Sequence, residues 1–210
     1  MDTTNSQSGL RYESDEPTGD EKHALSAYVS DMLALERHIS APVARQKNQS
    51  ETDRFGDARR LIDRIAAVSA SHIDALEKRL EELGGNSATP LKTAWARVVG
   101  AGAATIDSTR KTKVSKNLRD DHTALSLASI SYTMLYTTAL GLHDTATANL
   151  AKRSLADIAP LIMEISQAIP TVVLEELQVD GENVKLDAAD VVKREIDQIW
   201  REGSRAVHER

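Results

Sequence analysis

From Glu21 onward, apolar residues recur at three- and four-residue intervals, the spacing that lines one face of an α-helix, and a few breakers cut this pattern into long segments. The lengths of the connections between those segments constrain the fold most. A first helix, expected over about 21–47, carries Leu25, Val29, Met32, Ile39 and Val43 on one face. Pro42 is expected to kink it or end its regular part, because proline lacks the N–H of the helical ladder. A second, over about 51–84, places Leu61, Ile65, Val68, Leu76, Leu80 and Leu83 on a similar stripe and stops at Gly84-Gly85-Asn86. So short a join makes the two an antiparallel pair.

A long connection follows, about 85–117, with a helix of its own expected to start near Pro90 behind Thr89 as N-cap. A helix over about 118–142 then turns at His143-Asp144 straight into another over about 145–178, which Pro160 and Pro170 should bend. That is a second antiparallel pair. After Asp180-Gly181 a last helix begins near Asp187, a reasonable N-cap, with Ala188, Val192, Ile196, Ile199 and Trp200 on one side. It is expected to dock across the bundle or onto a second subunit. The order short turn, long crossover, short turn is that of an all-α, ferritin-like four-helix bundle. Here the crossover adds an extra helix and the C-terminus another. The expected division is a disordered acidic tail over 1–20, the bundle over 21–180, and the C-terminal helix and tail over 181–210.

Composition supports this reading. Only 3% of the 210 residues are aromatic while 40% are hydrophobic, so Ala, Leu, Ile and Val must fill the core of one soluble domain, which disfavours β-sandwiches and barrels. The balance of 26 Lys+Arg against 32 Asp+Glu, a net charge of −6, argues against a nucleic-acid partner. With no cysteine there are no disulfides, thiolate zinc sites, iron–sulfur clusters or thiol nucleophiles. The polar start has neither the cationic nor the apolar region of a secretory signal, so a cytoplasmic location is expected.

Three stretches invite sharper readings and receive plain ones. The uncharged run Thr123–Leu142 is as long as a membrane span, but its many Ser and Thr residues favour a buried central helix over a membrane partner. Its two apolar rows, Leu125, Tyr132 and Tyr136 on one side and Leu127, Ile130 and Met134 on the other, suit a central position or a subunit interface, as in a homodimer. Gly100 and Gly102 lack the third glycine and the preceding strand of a phosphate loop, so close helix packing explains them. The basic residues Arg110, Lys111, Lys113, Lys116 and Arg119 read as a solvated loop.

Bundles of this layout often hold two iron or manganese ions, using a Glu from each of two helices and a Glu-x-x-His pair from each of the other two. Such cations want several carboxylates, with imidazoles completing the coordination sphere. Glu36 interrupts the first stripe between Met32 and Ile39, and His72 interrupts the second between Val68 and Leu76, both near mid-helix. The remaining ligands are missing. Ser69 stands where the motif wants Glu, no carboxylate or histidine occurs between Thr123 and Leu142, and Glu164-Ile165-Ser166-Gln167 has Gln in place of His. The candidate metal set is therefore Glu36, His72 and Glu164, too few for a conventional di-iron centre. The competing reading is a buried hydrogen-bonded Glu36–His72 pair, since an inward charge needs a partner.

The segments SDMLALERHI and SHIDALEKRLEELGG, with a helix inside the crossover, resemble the stress-response ferritin-like family of the YciE/YciF type over roughly residues 22–178. In that resemblance Glu36 matches the first-helix ligand and His72-Ile73-Asp74-Ala75-Leu76-Glu77 the end of the second-helix motif. It implies a ferritin-like bundle, commonly dimeric, with a degenerate metal site. The leading expectation is a non-catalytic protein acting in stress protection through assembly or partner binding, with no cofactor. The alternatives are an iron- or manganese-dependent oxidoreductase with an incomplete site and a helical protein-interaction module.

Overall fold

The computed structural model describes residues 19–85 and 113–209. The expected acidic tail lies almost wholly outside the described residues, as do the expected crossover helix near Pro90, the Gly100/Gly102 stretch, Arg110 and Lys111. Five α-helices make up the described chain: α1 (Gly19–Lys47), α2 (Gly56–Glu82), α3 (Val114–Gly141), α4 (Thr145–Val179) and α5 (Ala188–His208). Among the described residues there is no strand. The protein is an all-α helical bundle.

Side-chain links between helices fix their directions. Gln46 of α1 meets Asp121 of α3, and Glu36 meets Tyr132, so the residue number falls in one helix as it rises in the other: α1 and α3 are antiparallel. Arg64 with Glu164, His72 with Asp157 and Arg79 with Thr147 make α2 and α4 antiparallel in the same way. With α1·α2 and α3·α4 as the hairpins, α2 and α3 run parallel across the diagonal. The end of α2 and the start of α3 therefore lie at opposite ends of the bundle, about 40 Å apart at 1.5 Å per residue along the 28 residues of α3. Such an arrangement requires the long connection that the breaker pattern anticipated.

Helix boundaries follow local chemistry. α2 starts at Gly56 rather than near 51, because Thr52–Arg54 first forms a 3₁₀ turn whose Thr52 hydroxyl donates to the Gln46 carbonyl at 3.0 Å while Phe55 is buried in the core. α2 ends as its glycines predicted. Gly84 has φ +77°, a conformation costly for other residues, and its N–H bonds Glu81 O while that of Gly85 bonds Leu80 O. A Cβ on Gly85 would sit 2.4 Å from Leu80 Cδ1 and 2.7 Å from Ser26 Oγ, so a larger residue here would force both side chains to shift.

At the other hairpin His143 takes the left-handed position, φ 55°, and Asp144 N–H bonds Ala139 O. Asp144 then caps α4 by accepting from Thr147 N–H at 2.7 Å and pairs with Arg79 of α2. α1 runs on through Pro42 to Lys47, and α4 through Pro160 and Pro170 to Val179, so none of these prolines ends its helix.

The stripes expected on α1 and α2 are inside: Leu25, Val29, Met32, Ile39, Val43, Leu61, Ile65, Leu76 and Leu80 are all buried. Each contributes about 1.5–3 kcal/mol when taken fully from water. α3 buries one of its two apolar rows. Leu125 and Tyr132 face the core, whereas Leu127, Ile130 (63% exposed) and Met134 face outward. α3 also begins at Val114, so the basic segment expected as a loop is helical from there on, with Val114 and Leu118 in the core.

α4 contains a stretch of mean hydropathy 1.4, apolar enough to cross a membrane by length and composition, and in the bundle its Leu161 and Ile165 are core. α5 rests on α4 through buried Ala189 and a Gln167–Asp197 hydrogen bond of 2.7 Å. Asp187 precedes it as expected but makes no side-chain cap, being itself in helical conformation. Ile199 and Trp200 (68% exposed) remain outside.

Candidate functional site

The polar interruptions in the α1 and α2 stripes meet. At mid-bundle, Glu36 (1% exposed) and His72 project between the helices, with Nδ1 of the imidazole 2.8 Å from Glu36 Oε1. Opposite them on α3 stands Tyr132, wholly buried, whose hydroxyl donates to the same Oε1 at 2.9 Å. Ser69 lies one turn before His72, and its hydroxyl donates to Glu36 Oε2 at 2.9 Å. The position where the metal motif wants a second carboxylate thus carries a donor to the first. The rings of His72 and Tyr132 meet edge to face, with centroids 5.5 Å apart and planes at 76°.

α4 closes the site. His72 Nε2 lies 3.3 Å from Asp157 Oδ2, and the Asp157 side chain is 56% exposed, so the network runs from the deepest part of the core to solvent. Glu164 does not join it. It lies seven residues, about 10 Å, further along the same helix and pairs with Arg64 on the surface. The expected ligand set is therefore corrected: Glu36 and His72 converge, Glu164 does not, and the carboxylate that α4 supplies is Asp157.

Electrostatics follow from this geometry. Burial pushes the His72 pKa down, but the hydrogen bonds and charges of Glu36 and then of Asp157 push it up, and the net shift is upward. An imidazolium with one N–H toward each carboxylate satisfies both contacts. Burial, and then the Glu36 charge, push the Tyr132 phenol far upward, so it stays a donor. No polar side-chain atom of Glu36, Ser69, His72 or Tyr132 is buried without a partner.

These residues do not fit a di-iron or di-manganese centre. Glu36 and Asp157 sit at opposite nitrogens of one imidazole, so each carboxylate is directed at the ring and the two do not converge on a common point. Among the described residues no group of three His, Asp or Glu side chains is placed to hold one ion.

Sequence reasoning missed Tyr132 and Asp157. Tyr132 stands in an apolar row, and nothing in the sequence singles out Asp157. The signal that finds them is register. Once α2 and α4 are known to be antiparallel with Arg79 opposite Thr147, His72 must face the Asp157 turn.

No family model matches the chain, and no curated protein matches it. A solved structure is similar, antigen TpF1 from Treponema pallidum, with a TM-score of 0.60 and 11% identity over 75% of this chain and 98% of that one. At that identity the likeness is one of fold.

Proposed function

We propose that this chain is a non-catalytic bundle of the ferritin-like YciE/YciF type, its metal centre replaced by a structural polar core. In this reading it works without a cofactor, in the cytoplasm, as a homodimer that assembles or binds a protein partner under stress. One observation carries it: at the level where a carboxylate-bridged centre would lie, every buried polar group is already satisfied by another side chain, Glu36 by His72, Tyr132 and Ser69. A partially filled metal site would leave lone pairs pointing at a common point. This one directs donors at a carboxylate.

The partner-binding half of the reading is supported by apolar surface. Leu127, Ile130 and Met134 line one outward face of α3, and a groove of about 620 Å³ between α4 and α5 is walled by Ile169, Val173, Val192, Ile196 and Trp200. Contiguous apolar surface of this kind marks interaction sites on soluble proteins.

Elemental analysis of the purified chain after incubation with iron, manganese and zinc under reducing conditions tests the first half. The expected result is close to zero metal per chain in the wild type and in a Glu36→Ala/His72→Ala variant alike. One or two equivalents, lost in the variant, would overturn it and make the chain an iron- or manganese-dependent oxidoreductase. Light scattering tests the second half: a dimer that Ile130→Glu/Met134→Glu dissociates is expected, and a strict monomer that captures no partner refutes it.

A further inference from the structure

At the end of the bundle where α1 finishes and α3 begins, a second polar cluster is buried. Gln46 (6% exposed) donates through Nε2 to Asp121 Oδ1 at 2.9 Å, and Asp121 is 3% exposed. The Thr52 hydroxyl holds the Gln46 carbonyl at 3.0 Å, and Asn117 donates to Gln49 at 3.2 Å. Two atoms of this corner have no partner: Gln46 Oε1 and Asp121 Oδ2, both oxygens and both buried. Two acceptors left empty on a pair of side chains already joined by one hydrogen bond would carry a desolvation cost that native interiors rarely tolerate.

We propose that Asp121 is a proton switch: in the folded protein Oδ2 holds a proton and donates it to Gln46 Oε1, closing a two-bond ring with the amide that clamps the end of α1 to the start of α3. One proton answers both unpartnered oxygens. A carboxamide and a carboxylic acid are complementary in this way, each giving one donor and one acceptor. When the proton leaves, Oδ2 becomes a second acceptor facing an acceptor, and the clamp is reduced to a single hydrogen bond.

The surroundings favour the neutral acid. Burial raises the Asp121 pKa from the ordinary carboxyl value to about 6, against a smaller opposing pull from the Gln46 N–H, and the like charge of Asp120 on its own helix adds to the rise. From α1 the facing group is the neutral Gln46 amide. On α4, Glu176 at this end is engaged by the N–H and hydroxyl of Ser115, and Lys113 is taken by Asp180 at 2.7 Å. Among the described residues no cation lies within ion-pair distance of Asp121.

The sign follows from a folded-state pKa above the unfolded one. The contribution to stability is complete below about pH 4, falls as pH rises through the interval up to about 6, and is gone above it. Acid tightens this corner and neutral pH loosens it. The loosening falls where the crossover enters α3.

Two measurements on the full chain test the switch: the carboxyl ¹³C resonance of Asp121 from pH 3.5 to 8, and the folding equilibrium in urea for wild type and Asp121→Asn. Asparagine keeps the ring permanently closed, because its amide replaces the proton donor. The expected resonance titrates near pH 6. The ratio of the wild-type folding constant to that of Asp121→Asn is expected to fall about tenfold per pH unit between about 4.5 and 6 and to level off above. A resonance that titrates at or below pH 4 overturns the proposal and leaves a charged carboxylate there, held by a buried water or cation. So does a ratio that is flat across the range. Should Asp121→Asn fail to fold, the wild-type resonance decides.

Discussion

The bundle buries two polar clusters, and they solve the same problem differently. At mid-bundle, Glu36 gathers three donors from two other helices, so both its oxygens are satisfied and its charge is balanced by the imidazole of His72. At the corner, Asp121 meets one amide and one of its oxygens is unpartnered. The carboxylates are comparably buried, at 1% and 3% exposure. What separates them is the number of donors within reach. A carboxylate surrounded by donors has both oxygens answered and organises the core, whereas one that faces a single amide is left with an oxygen that a proton would answer.

Removing the hub of the satisfied cluster should have the largest effect. Glu36→Ala leaves an imidazole, a phenol and a serine hydroxyl buried without their acceptor, and is expected to cost about 3–5 kcal/mol in urea denaturation. A loss below about 1 kcal/mol would mean that water enters the centre freely and that it resembles the corner after all. Tyr132→Phe removes one donor and keeps the packing, so about 1–2 kcal/mol is expected in the same assay.

The pH profiles sharpen the contrast, because the clusters titrate in different windows. With the His72 pKa raised, the imidazolium contribution is complete below the unfolded value of about 6.5 and is lost as pH rises through the folded one. Comparison of wild type with His72→Gln should therefore show the centre weakening above pH 6.5, after the corner has already finished titrating. An NMR titration placing His72 below 6.5 would contradict the Glu36 and Asp157 contacts. The smallest effects belong to α4. Asp157→Asn is expected to cost at most about 1 kcal/mol and to lower the His72 pKa, while Glu164→Gln changes stability by less than about 0.5 kcal/mol and leaves His72 unmoved. A His72 shift on Glu164→Gln would restore Glu164 to the centre.

Much of the fold was legible in the sequence because two features of it are local. Apolar spacing set the helical faces, and glycine or short polar turns set which helices are neighbours. Glu36 and His72 could be picked out for the same reason, each breaking an apolar stripe near the middle of its helix. Glu164 was chosen by motif spacing within one helix, and it failed because a site is assembled from the register between helices. Asp121 was hidden by its position among the charged residues flanking an uncharged run, where the default reading is solvated surface. The outward row of α3 was ambiguous for a related reason: a helix with two apolar rows offers both, and only the arrangement of its neighbours decides which one is covered.

The sequence by itself determined the helical class, the pairing of helices into two hairpins, the long connection between those hairpins, and an inward carboxylate beside an inward imidazole. These follow from periodicity and chain connectivity, which act over a few residues at a time. Tertiary structure alone decided that Tyr132 and Asp157 complete the centre, that Glu164 stands about two turns away on the surface, and that Gln46 faces Asp121 with one donor too few. Those outcomes depend on the vertical offset between antiparallel helices. Packing of whole faces fixes that offset to a single turn, and no residue's own neighbours in the chain record it.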